Sequence, residues 1–537
     1  MDIRSLLVSA KASASFHWPE SGTKVRLVLL NWFCAVLVSQ TVYAADSYLD
    51  TIGATLLQRV TTNLNGKGIR VAQAEAGAPT WEVNPGAVGQ PLSLFTYYSS
   101  SGSSPNYPNA LGSESSHADT VAGYFYGLVG GLATNIAQVN NYEAGYFYNS
   151  IIASLTPPNI NDRVVNQSFN FSATSSQQQA IDSNYDNYAA QYNTLFVSGV
   201  GNGGAVNAPA TCYNGVGVGA YGGGSSMGPT PDNGRAKPDL TAPAAVTSYS
   251  TPQVAGAAAL LAQAGLRGDG GSDTNSAADI RAIKALLLNG AIKPTDWTNA
   301  TSSPLDARYG AGVLNVFNSY KQLTGGKQAY VAATSVSTGS PHPPTAATGT
   351  LSTLSGWDFN TIASSHTADG VNHYYFNVTN TASNATFTAT ATLVWNRQLN
   401  KTGINNLDLF LYEANSGTLI AASTSTVDNV EHLFVSKMLA GRYDLQVLKN
   451  GGVTVSNTET YALAFEFFTM PLGLTRAGTN MLLAWPIYPA GFVADSTTDL
   501  AAPTWSAVTT APTVVNSQNS LILNTSSSQQ YYRLRRP

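Results

Sequence analysis

From Gly68 to Gly290 the chain alternates between short runs that read as strands and longer runs with helical spacing, and this alternation limits the fold more than any other feature. Residues 68–77, 162–171, 194–198 and 215–220 are rich in Val, Ala, Phe and Ile and run into glycine or asparagine turns. Residues 116–131, 173–192, 252–265 and 277–290 carry apolar side chains at helical intervals, as does 47–64 ahead of them. Strands alternating with helices over such a length predict an α/β fold, a mainly parallel sheet with helices on both faces. In such sheets chemistry collects beyond the carboxyl ends of the strands.

Past residue 350 the pattern changes. Runs such as 388–395, 407–412 and 441–448 alternate or stay apolar between Gly, Asn and Ser turns, which reads as an all-β sandwich or jelly roll. At 537 residues the chain is too long for one core. The boundaries expected are a leader at 1–44, an α/β domain at 45–330, a Ser/Thr/Pro/Gly-rich linker at 331–350, the β domain at 351–470 and a small β module at 471–537. The leader has a basic start at Lys24 and Arg26, an apolar stretch, and Val42-x-Ala44 as a small-residue cleavage pattern, so it reads as a secretory signal peptide. A secreted protein (extracellular, periplasmic or cell-surface) with no membrane span after cleavage is therefore expected. Cys34 falls in the leader, leaving Cys212 alone, without an intramolecular disulfide and in a core setting. Only 10% of residues are charged and the net charge is −4, which gives no reason to expect nucleic acid as a partner.

The segment 237–261 places Ser248 immediately before an apolar helix expected to start near Pro252. Unpaired N–H groups at a helix N-terminus favour an anion forming beside them, which suits a nucleophile whose attack creates an oxyanion. The run Thr247-Ser248, Pro252 and Val254-Ala255-Gly256 resembles the serine segment of subtilisin-like serine peptidases (subtilases), with Val246 in place of the usual glycine and Ser250 in place of alanine. Further resemblances follow in the family's chain order. His117 precedes Ala-Asp-Thr-Val-Ala-Gly, as the subtilase histidine precedes Gly-Thr-x-Val-Ala-Gly. Asn202, in Gly201-Asn202-Gly203-Gly204, matches the oxyanion asparagine, and Glu75, in Glu75-Ala76-Gly77, stands where the family carries its aspartate. The β region resembles the jelly-roll domain attached to many secreted subtilases, through residues 393–395, 406–409, 428–431, 441–443 and 461–463.

The resemblance implies a serine endopeptidase with a triad of Glu75, His117 and Ser248, an oxyanion donor in Asn202, and peptide or protein substrates met as a monomer. Glutamate keeps the charge of the aspartate and still accepts from the imidazole, but its extra methylene demands a longer separation or a folded side chain. The strand 164–171 implies substrate contacts at Ser168, Phe169, Asn170 and Gly201, with Asn170 and Phe171 bulky where the family commonly has glycine. Bulk there narrows or fills the specificity pocket. Only three residues separate Pro243 from Thr247, where many subtilases have a longer loop, and about 30 residues between the leader and Glu75 leave no room for the usual inhibitory propeptide. No cofactor is required for this chemistry. Calcium is a structural ion in many relatives, and Asp408, Asp428 and Glu431 are the candidate ligands, although their spacing fits turn and edge-strand carboxylates better than a calcium loop. Two other readings compete: a catalytically weak or inactive scaffold that binds peptide or cell-surface polymer, and adhesion or glycan binding by the β modules.

Overall fold

The structure is a computed structural model that describes residues 48–332, 336–339, 353–379, 387–452, 455–468, 472–477, 480–486, 492–500, 503–515, 518–523 and 530–535. The leader 1–44 and most of the expected linker lie outside the described residues. Among the described residues no helix is long and apolar enough to cross a membrane.

An eight-stranded sheet forms the centre of the α/β part. Its order is Leu240–Pro243, Val216–Tyr221, Leu195–Gly199, Val164–Gln167, Arg70–Glu75, Gln138–Glu143, Phe95–Ser99 and Gly102–Ser104. All neighbours are parallel except the last pair. The strands from Val164 to Pro243 extend to one side of Arg70–Glu75 and those of Phe95 and Gln138 to the other, so the chain order reverses at that strand. Beyond the strand ends at such a reversal is where open α/β sheets bind ligands, and the strands here end at Glu75, Gln167 and Gly199. Helix Thr247–Leu266 packs on the sheet and is buried from Ser250 to Gly265, as expected of a helix apolar on every side.

Four strands of this sheet escape the sequence reading: Phe95–Ser99, Gly102–Ser104, Gln138–Glu143 and Leu240–Pro243. Helix Ser116–Phe125 ends earlier than the pattern at 116–131 predicts, because Gly127, Gly130 and Gly131 interrupt it. Helix Thr247–Leu266 starts five residues before Pro252, so Ser248 lies inside its first turn and not on a turn ahead of it.

The β region contains two antiparallel sheets. One runs Ser355–Ala363, Thr458–Phe468, Phe387–Trp395, Val430–Met438; the other contains Ala368–Val378, Gly441–Lys449, Leu407–Glu413, Thr418–Ser423. A core that includes Trp395, Leu409, Leu445, Tyr461 and Phe465 fills the space between them. The outer face of the first sheet joins the core of the α/β part through Trp357, Val394, Ala462 and Ala464, against helix Ile280–Asn289. Two short strands, Val331–Ala332 and Val336–Ser337, come from the stretch expected as linker and pair with Ala368–Val378. The last residues form two small sheets around Leu483, Trp485, Ala494 and Leu521. The basic end Tyr531–Arg535 is a strand, and Arg533 and Arg535 clamp Asp495 at 3.1 and 2.9 Å.

Candidate active site

Glu75 is the last residue of the central strand and is buried. One carboxylate oxygen, Oε2, lies 2.9 Å from Nδ1 of His117, which sits in the first turn of helix Ser116–Phe125. That helix is held at its start by Ser115, whose Oγ accepts from the Ala118 N–H. The other carboxylate oxygen accepts from Gln73 Nε2 at 2.8 Å. The hydrogen bond to Glu75 raises the His117 pKa above its ordinary value, against an opposing effect of burial and with the carboxylate charge adding to the rise. Asp119, one turn position away, is pushed up to about 6, chiefly by burial, while the Asn84 N–H opposes the shift and Glu114 and Glu75 add to it.

Ser248 occupies the first turn of helix Thr247–Leu266, where backbone N–H groups have no helical partner. Val246, the N-cap residue, supplies no side-chain cap. Asn202 does so from across the site, its Oδ1 accepting from both the N–H and the hydroxyl of Thr247 at 2.8 Å. With Oδ1 engaged in this way, the Asn202 Nδ2 donors have no partner among the described residues. Asn202 therefore caps the helix and presents two donors at once.

Pro252 has no N–H to give to the Ser248 carbonyl four residues earlier. Ser168 Oγ donates to that carbonyl at 3.0 Å and fills the gap. The Tyr249 ring lies 6.2 Å from the His117 imidazole and stacks at 5.8 Å on Tyr124, forming an aromatic wall beside the histidine. Among the described residues no hydrogen bond joins Ser248 Oγ to His117. In enzymes without substrate such contacts are commonly long.

Among the residues expected to contact substrate, the exposed Asn170 donates through Nδ2 to the Gly199 carbonyl at 2.6 Å, bridging the ends of two neighbouring strands. Gly201 has φ of +106°, and a Cβ there would stand 2.6 Å from Ser226 Oγ, so this turn requires glycine. Phe169 and Phe171 meet edge to face at 5.5 Å and pack on the core, so their rings serve the fold first. The short link from Pro243 to Thr247 lies against Gly223, where a Cβ would meet the Ala244 and Ala245 carbonyls at 2.3 Å.

The structure thus brings Glu75 and His117 into contact, ties Asn202 and Ser168 to the Ser248 helix, and gathers Asn170 and Gly201 at the adjoining strand ends. Sequence reasoning missed Gln73, and it named Thr247 in the serine segment without foreseeing its contact with Asn202. Of the calcium candidates, Asp408 is buried with its Oδ1 lacking a hydrogen-bond partner among the described residues, whereas the other two are engaged. Asp428 accepts from Ser425 Oγ and the Ala236 N–H, both at 2.7 Å, and Glu431 accepts from the Ser425 N–H and from Ser423. Among the described residues no three His, Cys, Asp or Glu side chains are grouped to hold a metal.

Residues 93–312 match the subtilase family. Solved structures with similarity include the self-cleaved protease domain of PatA (22% identity, TM-score 0.34, covering 49% of this chain and 100% of that one). A protease from Pseudoalteromonas arctica gives 19% identity and a TM-score of 0.32 over 51% of this chain and 93% of that one. The Aeromonas sobria serine protease, solved in complex with a chaperone, gives 12% identity and a TM-score of 0.32, but over 88% of this chain and 87% of that one. No curated protein matches the chain.

Proposed function

We propose that this chain, whose residues 93–312 are those of a subtilase-family domain, is a secreted serine endopeptidase working through an acyl-enzyme with Glu75, His117, Ser248 and Asn202. The observation that carries the reading is the 2.9 Å contact between the buried Glu75 carboxylate and His117 Nδ1. That contact leaves the opposite ring nitrogen, Nε2, as the basic one.

Ser248 Oγ attacks the scissile carbonyl while His117 Nε2 takes its proton. The resulting imidazolium is stabilised by the ion pair with Glu75. The oxyanion is met by Asn202 Nδ2 and the Ser248 N–H at the start of the helix. His117 then returns the proton to the leaving amine, and water repeats the sequence on the acyl-enzyme. Asn170, tethered to Gly199, narrows the pocket between Ser168 and Gly201 and favours substrates with a small side chain before the cleaved bond. The strand order of the β region, first-eighth-third-sixth facing second-seventh-fourth-fifth, supports a jelly roll appended to the peptidase. Export rests on the segment 24–44.

One observation favours the second reading, a scaffold that binds peptide without cleaving it: the Asn170 bridge across the strand ends where a substrate side chain would enter. Hydrolysis of a protein substrate by purified wild type, Ser248→Ala and His117→Ala decides between them. The peptidase reading predicts loss of cleavage in both variants with unfolding midpoints unchanged; cleavage that survives Ser248→Ala overturns it.

A further inference from the structure

A glutamate in the orienting position has one more rotatable bond than an aspartate, and something must hold it. Gln73 and Glu75 are two residues apart on the same strand and therefore project from the same face of the sheet. The Gln73 backbone is held on both sides, opposite Asn141 and Asn166, and Glu75 on one, opposite Glu143. Gln73 is buried, and its Nε2 donates both to Glu75 Oε1 at 2.8 Å and to the carbonyl of Ala118, the residue after His117, at 3.0 Å. Its Oε1 accepts from the Tyr126 hydroxyl at 2.7 Å. Tyr126 is buried at the C-terminal end of the His117 helix, and burial holds its phenol well above the usual range, so the hydroxyl keeps its proton. A carboxylate and a backbone carbonyl only accept, so the amide nitrogen of Gln73 faces them and its oxygen faces Tyr126.

We infer that Gln73, locked by Tyr126, is the positioning residue that folds the Glu75 side chain into register with His117 and lets a glutamate serve where an aspartate usually stands. The inference rests on the triad reading above. Gln73 fixes one carboxylate oxygen, so the other is presented to Nδ1 in a single orientation. Its second bond, to Ala118, ties the same amide to the helix that carries His117. Separation and orientation of acid and base are thus set by one side chain. Tyr126 keeps that amide from turning over, which would place an oxygen against the carboxylate.

The test compares kcat and KM for wild type, Glu75→Gln, Gln73→Met, Tyr126→Phe and the double variant Gln73→Met/Glu75→Gln, on one peptide substrate. Loss of a hydrogen bond to a charged group predicts a fall in kcat of about 10- to 100-fold for Gln73→Met, with KM changed little. Tyr126→Phe removes one oxygen and predicts a smaller fall in kcat, on the order of fivefold. In the double variant Gln73→Met adds much less loss to Glu75→Gln than it causes alone, because its effect runs mainly through the carboxylate and only its Ala118 bond remains to be lost. If Gln73→Met does not fold, Tyr126→Phe alone carries the test. A Glu75→Gln enzyme as fast as wild type overturns the triad reading itself. A slow Glu75→Gln enzyme beside full-speed Gln73→Met and Tyr126→Phe enzymes overturns only this inference, as does a full additive loss in the double variant.

Discussion

The acid–base pair at Glu75 and His117 has a consequence for pH. The hydrogen bond that His117 donates to Glu75 raises the histidine above its ordinary value of 6.5. In its proposed role of general base His117 must be neutral, so activity is expected to fall as pH drops through that raised value, with the acid limb of kcat/KM above about 6.5. Glu75→Gln removes the charge and most of the rise. The limb then moves to lower pH while the rate drops by up to about 10⁴-fold, the cost of losing the orienting charge in a serine protease. A profile whose acid limb stays in place in Glu75→Gln, at an unaltered rate, would show that the carboxylate is structural. Four residues of this site were legible as residue types in the order of a family pattern. Gln73 was not, because its partners Ala118 and Tyr126 lie 45 and 53 positions away and nothing local marks a buried amide in an apolar strand.

At the level of elements, the helix carrying Ser248 is completed by side chains from other segments. Ser168 supplies the donor that Pro252 lacks, and Asn202 supplies the cap that Val246 lacks. Ser168→Ala leaves the Ser248 carbonyl unpaired and is expected to cost about 1 kcal/mol in urea unfolding. Pro252→Ala restores an N–H and should recover that loss; equal midpoints for wild type and Ser168→Ala would contradict the account. The helix start was misplaced in sequence because proline near a helix start normally marks its first turn, whereas here it sits at the sixth position. Strand Gln138–Glu143 was invisible for a different reason. Gln-Val-Asn-Asn-Tyr-Glu has no apolar run, yet Asn140 donates to Asp162 and Asn141 to the Gln73 carbonyl, so polar residues fill a buried strand through specific partners. The strands 388–395, 407–412 and 441–448 follow ordinary apolar patterning, and the structure contains each of them.

Across the whole molecule, the α/β part and the β sandwich are joined by a buried polar seam as well as a shared core. Arg397 reaches Asp186 at 3.2 Å, and its backbone is bonded both ways to the Asn214 side chain. Asn289 Oδ1 accepts from Thr390 and Thr392 at 2.9 and 3.0 Å. Burial keeps Asp186 above the usual carboxylate range even beside Arg397. Removing the arginine leaves a buried acid with its ion pair broken, so Arg397→Met is expected to destabilise by about 3–5 kcal/mol. Denaturant unfolding followed by two probes, one in each part, checks this. A fall of that size supports the seam as a load shared by both parts; an unchanged midpoint contradicts it.

The most direct test of the central claim is labelling of the purified protein by a fluorophosphonate probe, with Ser248→Ala as the control. The account predicts covalent labelling of wild type, its disappearance in Ser248→Ala and strong reduction in His117→Ala. A folded wild-type protein that takes no label, or a Ser248→Ala variant that labels equally, contradicts an activated serine at this site.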